Sequence, residues 1–518
     1  MKRQERLLAL QTSLLEHIQT RISNITGQTS KGIVDYEQSF RKSLPNKIKE
    51  CNAQKLKDKI SSSQIIFMGD FHSLPISQRH LIDIANYVLH KSKQAFLICL
   101  ECFAFEDQVY LDAYLDGRFS ERELFEKTNF CKSWGFPWGP QRKILKFCKE
   151  NEIPIVGLNT KDNKSLPLYE RDRIFADNIS RAMQKFPGRK LLCLVGELHL
   201  SSNHLPKVLL DSRPKNVVIE KTMCILSNTD KYFNRLLKKE NINYAACLEL
   251  NSNYFCLLDT PPWGKWLSYL LWQEHVLLHP KCETCIRPWS RQNEELCSYD
   301  VEDYFFECVN NFLKYFGIQE HYPHISSLFN RIVTLDSRIE SWPIKKNKWS
   351  FYQFKEMDSF LNYDSKVVYI KPLSWRGLVS AVAQCLCSVS HISLRNSRNN
   401  VEYFSNLKTS LVCHSFESVF NPVGYLDPNW IRCNLLDEQF KLDEIEKKKD
   451  ASIQSIEAFY HSFHLGRAFS CILNNHFYRS KDSFIFLHKL LLENKIIGPP
   501  FVCKVNALVT ERNLTSYF

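Results

Sequence analysis

Two short apolar runs, Ile65-Ile66-Phe67-Met68 and Leu191-Leu192-Cys193-Leu194-Val195, each end in a Gly-x-x-His step: Gly69-Asp70-Phe71-His72 and Gly196-Glu197-Leu198-His199. Continuous runs of this length and β-rich make-up are what strands buried on both faces of a parallel sheet require. A glycine at the end of such a run permits the sharp turn out of the strand, and open α/β sheets bind ligands at the carboxyl ends of their strands. A third run, Ala95-Phe96-Leu97-Ile98-Cys99-Leu100, ends on Glu101. The pattern predicts two imidazoles and one carboxylate delivered to the same edge of one sheet.

Strands are expected near 64–69, 95–101, 153–158, 190–196 and 216–220, with Tyr254 to Leu258 as a final one. Helical periodicity runs between them, from Ile76 to Leu89 and from Leu168 to Met183, and Ser120-x-x-Glu123 reads as a capping box. Alternating strands and helices predict an α/β fold, a mainly parallel sheet flanked by helices. An amphipathic helix is expected at the amino terminus, with Leu8, Leu15, Ile18, Ile22 and Ile25 at helical spacing. The Thr260-Pro261-Pro262-Trp263-Gly264 stretch reads as the clearest break. The expected division is therefore a helix over 1–30, an α/β domain over 31–259 and an additional α-rich carboxyl-terminal domain over 260–518. Within that last part, Asp303 to Phe316 and Ser455 to Leu473 read as helices, Asp364 to Ile370 as a strand, and Lys441 to Asp450 as a solvated helix start or connector.

At 518 residues and 44% hydrophobic content the chain can bury a large core divided among more than one domain. The apolar run at Leu7 to Leu10 stops at Gln11, short of the roughly 7–15 residues of a secretory h-region. No stretch approaches the ~18 apolar residues of a membrane span. Nineteen cysteines scattered through apolar runs, such as Cys99, Cys193, Cys247 and Cys256, read as free buried thiols. The expectation is a soluble protein of the reducing cytoplasm. A net charge of +12 with no dense basic stripe does not argue for a nucleic-acid partner.

Several ordered motifs resemble one family. Phe67-Met68-Gly69-Asp70-Phe71-His72, Leu100-Glu101-Cys102-Phe103, Leu111 through Gly117 and Trp134-Gly135-Phe136-Pro137-Trp138 are followed by Ile153-Pro154-Ile155-Val156-Gly157-Leu158-Asn159, then by Arg171-Asp172-x-x-Phe175-Ala176-x-Asn178 and the second Gly-x-x-His. Over roughly residues 60–225 the chain resembles the ChaN-like haem-binding uptake proteins of the Tiki/TraB/erythromycin-esterase superfamily. The resemblance implies an α/β domain with His72, Glu101, Arg171 and His199 around one cleft; Asp70, Glu197 and Asp172, next to these residues in sequence, are candidate cofactor-binding residues. Members of the superfamily are divided between ligand binding, as proposed for haem in the ChaN group, and hydrolysis, as in Tiki metalloproteases and erythromycin esterases.

The residue types admit more than one chemistry. Two imidazoles and a carboxylate suit a borderline divalent metal, so His72, Glu101 and His199 form a candidate metal set that would generate a nucleophilic hydroxide. Without a metal, one histidine can act as general base. The planar donor fork of Arg171 suits a haem propionate or a developing oxyanion. Asp70 and Glu197 each lie two residues before a histidine and can either orient its second nitrogen or supply a ligand themselves. Phe103, Phe105, Tyr110, Tyr114, Trp134, Phe136 and Trp138 can supply an apolar haem slot, or plain core packing. Three functions follow: a ChaN-like ligand-binding protein for haem or another small molecule, a hydrolase of peptides, esters or amides, or a non-catalytic interaction scaffold. Two weaker signals stand apart. Cys282-Glu283-Thr284-Cys285 with Cys297, Cys308, His275 and His279 has zinc-like spacing, against free thiols, and His461 with His464 lies one helical turn apart within an aromatic stretch.

Overall fold

The computed structural model describes residues 3–27, 29–162, 165–212, 221–238, 247–278, 300–316, 331–334, 357–362 and 365–388, together with Cys413, Glu417, Phe420 and Asn421. Helices α1 (Arg3–Thr26) and α2 (Lys31–Ser43) precede the short strand β1 (Lys49–Glu50) and helix α3 (Ala53–Ser62). Next come β2 (Ile65–Asp70), α4 (Ile76–Tyr87) and β3 (Phe96–Ala104). Helices α5 (Gln108–Leu115), α6 (Glu121–Lys127), α7 (Phe130–Ser133) and α8 (Trp138–Glu150) cross to β4 (Ile155–Asn159). Helix α9 (Leu168–Lys185) leads back to β5 (Lys190–Gly196), followed by α10 (Leu205–Asp211), β6 (Thr222–Ser227) and α11 (Asp230–Leu237). Strands β7 (Cys247–Glu249) and β8 (Tyr254–Leu257) precede α12 (Pro262–Leu278) and α13 (Glu302–Phe316). The described chain continues with β9 (Arg331–Thr334), β10 (Ser359–Asn362), β11 (Val367–Ile370) and α14 (Trp375–Ser388).

The main sheet has the order β1-β7-β8-β6-β2-β5-β3-β4. Its six strands from β8 to β4 are parallel, and β7 and β1 add an antiparallel edge. Alternate residues of each strand feed opposite faces, as strand pleat dictates. Phe67, Cys99, Leu191 and Cys193 join one apolar cluster, while Ile66, Met68, Ile98, Leu100 and Leu192 join the other. Both faces are covered, which is why the strands read as unbroken apolar runs rather than alternating ones.

The sheet order places the site. The chain leaves β2, skips one position to build β3 and β4, and returns to insert β5 between β2 and β3. β2 and β5 pair in parallel register through Gly69 with Val195 and Asp70 with Gly196, so the two Gly-x-x-His steps leave the sheet side by side. β3 runs past Glu101 to Ala104 and shifts its register against β4 between Leu100 and Ala104. Glu101 is thus within a strand rather than at its end. At that shift a Cβ on Gly157 would stand 2.5 Å from the Ala104 carbonyl oxygen, so the close approach of β4 requires glycine there.

Two expectations need amendment. The Pro261-Pro262 stretch opens helix α12 instead of a linker, because a proline in the first turn loses no helical hydrogen bond. A Cβ on Gly264 would stand 2.7 Å from Trp375 Cγ, so the glycine read as a breaker is where α12 and α14 approach closely. In the carboxyl-terminal part, β11 falls within the strand expected over Asp364 to Ile370 and belongs to a three-stranded sheet, β10-β11-β9, beside the helices. Helix α1 packs on α12 and α13, and the apolar cluster that contains Phe67 also holds Leu14, Leu267, Phe305 and Trp375, on both sides of residue 260. The expected strand at 216–220, the helix from Ser455 to Leu473, the run Lys441 to Asp450, the Cys282, Cys285, Cys297 and His279 group, and the His461 and His464 pair all lie outside the described residues.

Candidate functional site

Glu101 is the centre of the arrangement and is 2% exposed. β3 stops pairing with β5 at Leu100, and the next side chain takes over the ladder: Glu101 Oε2 accepts the Gly196 backbone N–H at 2.5 Å. Its other oxygen, Oε1, accepts a short hydrogen bond from Arg171 Nη2. His199 Nε2 stands 3.8 Å from the same Oε1. His72 closes the opposite side, for a Cβ on Gly196 would lie 3.3 Å from His72 Cε1 and 3.4 Å from both His72 Nε2 and Glu101 Oε2. The space left by that missing Cβ is what lets the imidazole and the carboxylate share one location.

Each imidazole is held from behind by an aspartate. His72 Nδ1 is 2.9 Å from Asp70 Oδ2, and Asp70 Oδ1 accepts from Gln78 Nε2 at 3.1 Å. His199 Nδ1 is 2.6 Å from Asp172 Oδ1, and Asp172 Oδ2 accepts from the Tyr36 hydroxyl at 2.8 Å. Occupying Nδ1 fixes the ring and turns Nε2 toward the centre, as carboxylate–histidine pairs do in ligand sites. Arg171 and Asp172 are neighbours on α9, so one helical turn supplies both the guanidinium on Glu101 and the carboxylate behind His199.

The electrostatics follow from this geometry. Burial alone would raise the Glu101 carboxyl, but the Arg171 guanidinium and the two imidazoles outweigh it and hold the group below its usual range. Burial would lower His72, yet its hydrogen bond to Asp70 and the charges of Glu101 and Asp70 raise it above its usual value. The two histidines differ in access: the His72 side chain is 24% exposed, whereas that of His199 is 4% exposed.

Glu197 lies elsewhere. It accepts from Thr229 Oγ1 at 2.5 Å, packs its Cβ and Cγ against Gly69, and feels the charge of buried Lys265 from α12. Its sequence position matches that of Asp70, but β5 leaves the sheet through a 3-10 turn over Glu197–Leu200, which carries the carboxylate away from His199. Asp172 takes the orienting role that the Gly-x-x-His spacing suggests for Glu197. Among the aromatics expected to form a slot, Trp134 and Phe136 lie against His72, at 4.5 and 5.0 Å between ring centres. Trp272 of α12 stacks on Phe136 at 4.2 Å and extends that wall. Phe103 and Trp138 pack with Phe130 in the core, and Tyr110 stacks on Phe119. Sequence reasoning missed Tyr36, Gln78 and Trp272; nothing in their local pattern marks them, since each reaches the site from a different helix.

Among the described residues, no group of three or more His, Cys, Asp or Glu side chains is arranged to hold a metal ion. Both Glu101 oxygens are already engaged, one of them by a cation. No disulfide links the described cysteines, and no described helix is long and apolar enough to cross a membrane. Residues 56–165 match the model of a family described as haem-binding uptake, Tiki superfamily, ChaN. That span holds His72, Glu101, Trp134 and Phe136, while Arg171, Asp172 and His199 follow it. Comparison with curated proteins and with solved structures gives no match.

Proposed function

On the premise that residues 56–165 form a ChaN-like region of the Tiki superfamily, we propose that the protein binds haem at this cleft, with His72 as the contact to iron. The placement of His72 carries the reading. Its Nδ1 is occupied by Asp70, its side chain is the more exposed of the two imidazoles, and Trp134 and Phe136 line its flank. Haem iron accepts histidine, and an apolar wall is what a macrocycle packs against. The partly exposed Arg171 is the cation suited to a propionate.

The divalent-metal arrangement fits less well. A dication held by His72, Glu101 and His199 would first have to displace the guanidinium from Glu101, so no step is assigned to it. A second reading, hydrolysis, draws support from one observation: both imidazoles are backed by carboxylates, the arrangement that suits a general base. It predicts turnover of an ester, amide or peptide that is lost in both His72→Ala and His199→Ala with folding retained; unchanged turnover in both removes it.

The deciding experiment for the first reading is a haemin titration followed by absorbance. Saturable one-to-one binding is expected, weakened at least about tenfold (~1.4 kcal/mol) by His72→Ala. Wild-type affinity in that variant overturns the assignment.

A further inference from the structure

We propose that Tyr36 is a positioning residue of this cleft: through Asp172 its hydroxyl fixes the orientation and tautomer of His199, which makes helix α2 a working part of the site. The inference rests on the cleft being the ligand site, and it concerns a residue outside the span matched by the family model.

Tyr36 is 8% exposed and comes from a helix that precedes the sheet. Its hydroxyl has one proton, donated to Asp172 Oδ2 at 2.8 Å, and its oxygen lies 3.0 Å from His199 Nδ1. With Asp172 Oδ1 at 2.6 Å from the same nitrogen, Nδ1 faces two oxygen acceptors and no donor, so the proton of the neutral ring belongs on Nδ1. Nε2 is then the unprotonated nitrogen; Glu101 Oε1, an acceptor like it, lies 3.8 Å away, beyond hydrogen-bond distance. Without the hydroxyl, Asp172 Oδ2 loses its donor and Nδ1 loses its second acceptor.

The ring of Tyr36 is held as firmly as its hydroxyl. It stacks on His204 with 3.8 Å between centres and 17° between planes. His204 is fixed by both nitrogens, Nδ1 to the Leu198 carbonyl at 2.7 Å and Nε2 to Ser39 Oγ at 3.0 Å. Ser43 Oγ meets Ser201 Oγ at 2.9 Å farther along α2. The helix therefore grips the turn that carries the second Gly-x-x-His at several points. Gln78 stands in the matching place behind Asp70 and His72, so each histidine–aspartate pair has a third member from a helix.

The test is side-chain 15N NMR of the ligand-free full chain at a fixed pH above the imidazole range. Wild-type protein is expected to show His199 with Nδ1 protonated. In Tyr36→Phe, which keeps the ring and its stack, the His199 nitrogen signals should move toward a mixture of tautomers while the His72 signals stay in place. Asp172→Asn, which exchanges an acceptor for a donor, should perturb His199 as well. A fixed wild-type tautomer in Tyr36→Phe, with Asp172→Asn perturbed, overturns the proposal and leaves Tyr36 a packing residue. Should the phenylalanine variant fail to fold, 4-fluorophenylalanine at position 36 keeps the ring and fills the place of the hydroxyl with no proton to donate; unmoved His199 signals then overturn the proposal. If haemin does not bind wild-type protein the haem reading falls, and the His199 signals alone decide the role of Tyr36.

Discussion

Two glycines set how closely the chain approaches itself at the site, and their substitutions should separate function from stability. Gly196 has a backbone any residue can adopt, but a Cβ there would touch His72 and Glu101 at 3.3–3.4 Å. Gly196→Ala should weaken ligand binding while leaving the unfolding midpoint nearly unchanged. Gly157→Ala, whose Cβ would meet a backbone carbonyl at 2.5 Å, should cost about 1–3 kcal/mol in urea unfolding. His72 gives a pH prediction. Burial opposes its charge, but Asp70 and Glu101 prevail and raise it above 6.5. Its protonated form therefore contributes stability that is fully present below that value and lost as pH rises through the raised folded pKa. The stability gap between wild type and Asp70→Asn should accordingly be widest in acid and narrow with rising pH. Haemin affinity should change in the opposite sense, increasing as His72 deprotonates, because iron takes the neutral imidazole. At this scale the sequence carried His72, Glu101 and His199, since glycine and a polar residue interrupt apolar runs conspicuously. It could not choose between Glu197 and Asp172 as the partner of His199, because that choice depends on which helix passes behind the ring.

The helices and strands were legible where their signals are local. The Ser120 and Glu123 capping box forms as its spacing predicts, with Glu123 N–H donating to Ser120 Oγ at 3.2 Å and Ser120 N–H donating to Glu123 Oε2 at 2.7 Å. Ser120→Ala should cost about 1 kcal/mol, read as a shift in thermal midpoint. The strands at β2, β4 and β5 fall close to their expected bounds because unbroken apolar runs have few other solutions. β3 extends past Glu101 because its bulge is a response to β4 and not a property of its own residues. The amino-terminal helix forms as expected, and Leu14, 2% exposed, lies in the main apolar cluster. Leu14→Ala should therefore destabilise the protein by about 3 kcal/mol in denaturant unfolding. The start of α12 was read as a break because Pro-Pro-x-Gly signals look alike in a linker and in the first turn of a helix.

Across the whole molecule, the apolar cluster joins α1, one face of the sheet, α12, α13 and α14. A fragment covering 31–259 would expose the faces that Leu14, Leu267 and Leu271 now cover, so it should bind a hydrophobic dye and unfold without the sharp transition of the full chain; a cooperative, dye-silent fragment would show that the α/β part stands alone. The sequence by itself determined the α/β class, the buried strands and the delivery of two histidines and a glutamate to one edge of the sheet, because hydrophobic period and glycine punctuation are written locally. Only the tertiary structure decided that β5 inserts beside β2, that Asp172 rather than Glu197 backs His199, and that Tyr36, Gln78 and Trp272 join the cleft. Those outcomes depend on sheet order and helix packing between residues far apart in sequence, and a local pattern holds no record of which distant neighbour will arrive.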